Sequence, residues 1–494
     1  MITLRDYQQN AVNEIRQAYR RGKRSPLLVL PTGGGKTTIF AYITTEAAKR
    51  GNSVFLLCHR AELVKQISLT LAAFGQEHQV IAPAAIVNQV RTAHFSAYGR
   101  SLIQASPVYV ASVQTLINKI DGLHHRPSLI VIDEAHHLTA QSTWGRVIAA
   151  FPDARLLPVT ATPCRLDGKG LGVTHAGFAD DIIIGQTMSA LIESGHLCDY
   201  RAYCPPSALD LSSVKTTAGD YNKGQLAEAM DKPTITGDAV KHYHRLLSGK
   251  RAVVFCVSVA HAEHVAESFT LTGIRAESLD GTLSPDERAA RIRRFTDGIT
   301  LVLTSCDVIS EGFDLPAIEA AILLRPTKSL SLYLQQVGRA LRPFPGKREA
   351  VILDHVGALS RHGLPDADRE WSLEGAKKRS RKAGDSEPDV NIKTCPACYH
   401  VFESKLPACP ACALAVKPQG RAIEEVDGQL QEIDKDAMRR QKKQEERGCT
   451  DLESLTALGR SRGYKYPAQW AARMIEIRSS YAKRRNQHPE QNHA

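Results

Sequence analysis

Nine short apolar runs, rich in β-branched residues, recur through the first 360 residues, and segments with helical spacing lie between them. One set comprises Leu27–Leu30, Val54–Cys58, Val108–Ala111, Leu129–Ile132 and Leu156–Thr160; a later set comprises Ala252–Val257, Thr300–Leu303, Ala320–Leu324 and Ala350–Leu353. Ala61–Phe74 and Ala260–Thr270 are among the helical segments between them. Strands separated by helices cannot pair through tight hairpins; they pair in parallel through right-handed crossovers. The expected class is therefore α/β, and nine strands over this length fit two tandem sheets better than one. The stretch Ser207–Lys232 carries Gly, Thr, Asn and charge, so the join is expected near residues 195–235.

The expected domains are 1–200 and 201–360. From Arg361 to Thr394 polar and charged residues dominate, which predicts a linker. A cysteine cluster spans 395–412, and 413–494 reads as a charged, helical, basic C-terminal region. Hydrophobic residues are 43% and charged residues 23% of the 494, which excludes disorder over most of the chain. Lys plus Arg is 63 against 52 for Asp plus Glu, giving +11. That balance argues against an acidic solvating protein and admits a polyanionic partner. No apolar run approaches the ~18–20 residues needed to span a bilayer, so no membrane role is expected. Seven of the eleven cysteines are scattered, and charge enters by Arg5 and Asp6, unlike a secretory signal. A reducing cytoplasm is the expected location.

The string Leu30-Pro31-Thr32-Gly33-Gly34-Gly35-Lys36-Thr37 follows the first apolar run and precedes a helical segment. Glycines let the backbone N–H groups turn toward a phosphate, and a helix N-terminus adds favourable dipole charge. Lys36 would place a cation on the β- and γ-phosphates of ATP, and Thr37, with Thr38 beside it, a hydroxyl near Mg²⁺. Leu30 stands where the strict pattern has its first Gly. The alternative is a flexible turn between strand and helix.

Asp133-Glu134-Ala135-His136 follows Leu129–Ile132, so Asp133 emerges at the carboxyl edge of a buried strand, where open α/β sheets bind ligands. Asp133 could hold Mg²⁺ through water, and Glu134 could deprotonate the water attacking the γ-phosphate. In the second half, Gln335-Gln336-Val337-Gly338-Arg339-Ala340-Leu341-Arg342 follows an apolar helical run. Arg339 and Arg342 share a face if that turn is helical, and planar guanidinium groups suit the charge on a transferring phosphoryl group. In isolation the pair could equally be surface arginines in salt bridges.

These elements, in this order, resemble the superfamily 2 helicases and translocases, whose fold is two RecA-like lobes; the match covers about residues 1–360. The resemblance implies that Leu4-Arg5-Asp6-Tyr7-Gln8 is the adenine-reading motif, with Gln8 as reader and Arg5 nearby. It implies that His59-Arg60-Ala61-Glu62-Leu63 and Val110-Ala111-Ser112-Val113-Gln114-Thr115 grip a strand, through Arg60, Ser112 and Gln114. Thr160-Ala161-Thr162-Pro163 resembles the motif coupling ATP to nucleic acid. In the second lobe, Asp280-Gly281-Thr282 and Thr304-Ser305 resemble strand-contacting motifs through Thr282, Thr304 and Ser305, while Gly312 and Asp314 would meet the nucleotide. Within the superfamily the chain looks closest to the RadD-type DNA-repair ATPases of the XPB-like branch. It departs from them in having Asp-Glu-Ala-His for Asp-Glu-Cys-His, and in a shorter C-terminal part. A phage or mobile-element relative fits equally well.

Cys395-Pro-Ala-Cys398 and Cys409-Pro-Ala-Cys412 have the spacing of a tetrahedral Zn²⁺ site. A disulfide or redox pair is the alternative. A zinc ribbon could grip nucleic acid or staple the linker. The leading expectation is an ATP-dependent motor on DNA with a single-stranded segment. The alternatives are an ATP-switched recruitment module docking a protein partner through the C-terminal region, and the motor subunit of a restriction or defence complex.

Overall fold

The computed structural model describes residues 2–165, 170–204, 211, 214–217, 219–230, 233–307, 309, 315–374, 392–394, 401–403, 408, 414, 431–433, 444–464 and 466–475. Two compact units emerge: residues 1–367 with 371–390 and 419–432, and residues 368–370 with 391–418 and 433–494.

The larger unit contains two parallel sheets. The first is built from β1 (Pro26–Val29), β2 (Val54–Cys58), β3 (Gln79–Ile81), β4 (Val108–Ser112), β5 (Leu129–Ile132), β6 (Arg155–Thr160) and β7 (Asp181–Ile184), in the order β3-β4-β2-β5-β6-β1-β7. Its central strands are covered on both faces, which is why they read as unbroken apolar runs. Along β1, Leu28 joins one buried cluster and Leu27 and Val29 the other; along β2, Val54, Leu56 and Cys58 face one side, Phe55 and Leu57 the opposite one. Each such side chain contributes roughly 1.5–3 kcal/mol by leaving water.

The chain passes to the second sheet at Gly195–Cys198, where Gly195 takes a φ of +71°. Then follow β8 (Asp199–Cys204), a small hairpin of β9 (Thr216–Thr217) and β10 (Asp220–Tyr221), β11 (Ala252–Phe255), β12 (Ala276–Leu279), β13 (Val302–Ser305), β14 (Ala320–Leu323) and β15 (Glu349–Asp354). The second sheet runs β12-β13-β11-β14-β15-β8, with every one of these pairings parallel, and Gln431–Ile433 adds a seventh strand beyond β8.

The expected linker at 361–394 is anchored along part of its described length. Trp371 and Leu373 pack against the core of the first sheet, and the Gly172 N–H donates to the Leu373 carbonyl at 3.0 Å. Two apolar side chains in a polar stretch are enough to dock it.

In the smaller unit, β16 (Ile392–Thr394) and β17 (Val401–Glu403) pair antiparallel with Thr394 opposite Val401. A helix at Leu452–Ser461 starts at Asp451, whose side chain accepts the Ser454 N–H at 2.8 Å. Arg462 pairs there with Glu445 at 3.0 Å and Glu446 at 2.6 Å.

Candidate nucleotide site between the two sheets

The loop after β1 turns on two left-handed glycines, Gly33 (φ +83°) and Gly35 (φ +81°), and the Gly34 N–H donates to the Pro31 carbonyl at 3.0 Å. Gly35 caps the helix Lys36–Ala48. A Cβ on Gly35 would displace the Gln8 amide, the movable end of a side chain, so it is the left-handed φ that requires glycine there. The N–H groups of Lys36, Thr37 and Thr38 have no carbonyl one helical turn earlier to accept them. Left-handed glycines before a 13-residue helix form a cradle that fits a polyphosphate. Leu30, the departure from the strict pattern, is buried and its carbonyl accepts the Lys36 ammonium at 3.2 Å. A glycine there would supply a main-chain group; the leucine supplies the same carbonyl and a core side chain.

Gln8 and Arg5 start the helix Asp6–Arg20. The Gln8 side-chain oxygen accepts the Arg5 N–H at 3.0 Å, and Tyr7 donates its hydroxyl to the Gly34 carbonyl at 3.0 Å. The Leu4–Gln8 string therefore touches the glycine loop directly. Arg5 is exposed.

Asp133 and Glu134 are buried at the carboxyl end of β5. Asp133 accepts the Glu134 N–H at 3.0 Å, and Glu134 takes a left-handed φ of +52°, an uncommon conformation for a side-chain-bearing residue. His136 Nδ1 lies 3.4 Å from the Glu134 carboxylate and 3.2 Å from the Thr160 hydroxyl. A carboxylate and a threonine hydroxyl suit Mg²⁺, which keeps several waters and takes few protein ligands.

Ser329 caps the helix Leu330–Ala340, accepting the Leu332 N–H at 3.2 Å. Arg339 lies in its last turn and is buried. Arg342 lies beyond the helix end, so the expected shared helical face does not form; the chain leaves the helix at Leu341. Both arginines nevertheless act on the phosphate-loop lysine. Burial pushes the Lys36 ammonium below its ordinary range; Glu134 and Asp133 push it back up, and Arg339 and Arg342 push it further down. The helix meets the loop closely, since a Cβ on Gly338 would stand 2.8 Å from the Thr32 Cβ.

Further contacts join the two sheets. Thr162 donates to Ser331 at 2.6 Å, Arg288 pairs with Glu62 at 3.1 Å, and Arg60 donates to the Asp307 carbonyl at 3.3 Å. Ser331 escaped the sequence reading because no spacing rule marks a hydroxyl partner across two lobes.

The residues expected at a nucleic acid are placed unevenly. Gln114 and Thr282 are exposed, Ser112 donates to Gln114 at 2.9 Å, and Thr282 to Asp280 at 2.5 Å. Thr304 is fully buried and donates to the Ala262 carbonyl at 2.6 Å, while Ser305 accepts the Ile309 N–H at 3.3 Å. Neither offers a surface hydroxyl, because the strand continues through them as β13. Gly312, Asp314, Cys395, Cys398, Cys409 and Cys412 lie outside the described residues.

Residues 1–165 match the family model described as the type III restriction enzyme res subunit, and 237–343 the helicase conserved C-terminal domain. A 51.5 kDa protein of a Lactococcus phage is 33% identical over 77% of this chain and 76% of its own length. "Putative ATP-dependent helicase IRC3" of Saccharomyces cerevisiae is 32% identical over 72% of this chain; the chain spans about half, 52%, of the yeast protein. Among solved structures, a fragment of an HsdR subunit of a type I restriction enzyme from Vibrio vulnificus shares the fold at a TM-score of 0.55 and 21% identity, covering 74% of this chain and 67% of that one. Two parallel sheets with a phosphate loop on one and a paired arginine motif on the other thus accompany both matched models, and the chain belongs to the superfamily 2 helicases.

Proposed function

We propose that the chain is an ATP-driven motor on DNA, hydrolysing ATP between its two sheets and stimulated by a single-stranded segment. The observation that carries this reading is the convergence on Lys36 of Asp133 and Glu134 from one sheet and of Arg339 and Arg342 from the other. The loop N–H groups and Lys36 would hold the phosphates, with Gln8 beside them at the adenine. Mg²⁺, held by Thr37 and Asp133, would neutralise phosphate charge. Glu134 takes the proton of the attacking water, and the guanidinium groups stabilise the charge that spreads over the transferring phosphoryl group. Arg60, Ser112, Gln114 and Thr282 would contact the strand backbone, without reading sequence. Thr304 and Ser305 would reach it only after a local rearrangement. A role in DNA repair fits this chemistry.

The four cysteines would hold Zn²⁺: Cys395 and Cys398 fall in the six residues joining β16 to β17, and a hairpin is a common support for such a pair. Metal analysis of the purified chain tests this, one zinc per chain being expected and none after C395S/C398S. The ATPase reading is tested by turnover with single-stranded DNA, duplex DNA, forked DNA and RNA, for the wild type and K36A. Turnover that no polymer stimulates would end the motor reading. A second reading, the motor subunit of a restriction complex, is favoured by the match of residues 1–165 to the res-subunit model; its test is stable assembly with a nuclease-bearing partner.

A further inference from the structure

Three consecutive residues of the crossover between the sheets each touch a different part of the nucleotide site. The His196 ring lies 5.3 Å from that of Tyr7, whose hydroxyl is bonded to Gly34. Leu197 is buried, and its Cδ2 lies 2.8 Å from the point where a Cβ on Gly33 would stand; the Arg342 Cγ lies 3.7 Å from the same point. Cys198 donates its main-chain N–H to the Leu341 carbonyl at 2.8 Å, and its thiol lies 3.6 Å from the Arg342 carbonyl. That carbonyl also accepts the Lys347 ammonium at 2.8 Å.

We propose that Leu197 is a positioning residue, which sets where the Arg342 guanidinium stands relative to the phosphates. Arg342 follows the end of its helix, so helical geometry does not fix it. Two other things do. Its main chain is tied to Cys198 and Lys347, and its aliphatic stem borders the space that Leu197 fills beside Gly33. Glycine at 33 leaves room for the leucine, and the leucine occupies that room with an apolar group that offers nothing to bond a phosphate. A shift of the Gly33 turn when phosphates load is passed to Leu197, then through Cys198 to the main chain at 341–342. The crossover thereby links loading of one sheet to placement of an arginine on the other. Arg342 acts on charge that develops only in the transition state, so its misplacement slows turnover more than it weakens binding.

The inference rests on the reading of Arg342 as a group that acts on the transferring phosphoryl. The test uses the full chain with single-stranded DNA, comparing wild type, L197A, L197M, R342A and L197A/R342A. Single-turnover ATP hydrolysis and affinity for a fluorescent ADP are measured for each. L197A is expected to slow hydrolysis roughly tenfold, since small misplacements cost rate steeply, with ADP affinity changed by less than about threefold. L197M, of similar volume, is expected to recover most of the rate. The double variant is expected to be no slower than R342A, because a residue acting through Arg342 has no effect once Arg342 is gone. A slow R342A beside an L197A at full rate overturns the proposal, as do losses that multiply in the double variant or an ADP affinity that falls in step with the rate. An R342A at full rate would instead sink the arginine reading, and the inference with it.

Discussion

The hydroxyl of Thr162, beyond β6, donates to that of Ser331, in the first turn of the arginine-bearing helix, at 2.6 Å, and both residues are buried. The Thr162 N–H also donates to the Thr160 hydroxyl at 3.2 Å, and Thr160 lies 3.2 Å from His136, itself 3.4 Å from Glu134. A run of polar contacts therefore leads from the carboxylate that would activate water to the helix that carries the arginines. Ser331, Gln335 and Arg339 are spaced four apart, so they line one stripe of that helix. Gly338, against Thr32, lies next to it.

Removing the Ser331 hydroxyl leaves the Thr162 hydroxyl buried without its acceptor, a loss of about 1–3 kcal/mol. If closure of the two sheets depends on that bond, S331A lowers nucleic-acid-stimulated ATP turnover by roughly five- to tenfold, with KM for ATP within about twofold, and S331T restores most of it. Steady-state kinetics with and without single-stranded DNA check this. Stimulation undiminished in S331A would show that the bond carries no coupling.

Glu134 is buried and held in a left-handed backbone beside Asp133 and His136. E134Q keeps the shape of the side chain and removes its basicity. Hydrolysis is expected to fall by about 10²–10⁴, while nucleotide affinity stays close to that of the wild type. Phosphate release and equilibrium binding, measured on one preparation, separate the two effects.

A methyl group on Gly338 would meet the Thr32 Cβ at 2.8 Å and its Cγ2 at 3.0 Å. Neither atom is the far end of a flexible chain, so the arginine helix must retreat from the phosphate loop. G338A is expected to fold normally, because alanine favours helix over glycine by about 1 kcal/mol, yet to lose more than about tenfold in turnover. A combined T32S/G338A variant removes the Cγ2 contact and should recover part of the loss. Thermal melting alongside kinetics distinguishes this from simple unfolding.

Much of this was legible in the sequence. The nine apolar runs mark central strands, because strands buried on both faces must be apolar throughout. Among β1–β8 and β11–β15, the strands without such runs are β3, β7, β8 and β12. Three of these lie at sheet edges, and β8 alternates exposed Asp199 and Arg201 with buried Tyr200 and Ala202. Their residues meet water on one side, so composition gives no continuous signal. The phosphate loop and Asp133-Glu134 were legible because their chemistry depends on near neighbours. The placement of Arg342 was not, since it depends on a helix ending at Ala340 and on a crossover about 145 residues earlier. Thr304 was named from the resemblance alone, and the fold adds what no motif carries: its hydroxyl is buried and donates to the Ala262 carbonyl.

Beside the first sheet, at the start of β3 and on the helix Ala84–Tyr98, lies a buried pair of histidines, His78 and His94. The Leu102 N–H donates to His94 Nδ1 at 3.2 Å, which puts the His94 proton on Nε2, 3.0 Å from the Ser68 hydroxyl. Ser68 then donates to His78 Nε2 at 2.6 Å, and His78 donates from Nδ1 to the Gln76 carbonyl at 2.9 Å. Every bond is satisfied with both rings neutral, and a further proton on either ring would confront a donor. Burial accordingly lowers the His78 pKa to about 4 and lowers that of His94. A histidine with a depressed folded pKa gives stability that is complete above its unfolded value, near 6.5, and lost as pH falls toward the folded value. In that window the unfolded chain binds a proton that the folded one refuses. Between pH 6.5 and 4, His78 alone should remove about 3 kcal/mol, at about 1.4 kcal/mol per pH unit. Urea midpoints measured at half-unit steps should fall steeply through this range, and H78Q should flatten the slope by about one proton while costing about 1 kcal/mol at neutral pH. An unchanged slope in H78Q would mean that His78 takes up its proton in the folded chain as readily as in the unfolded one.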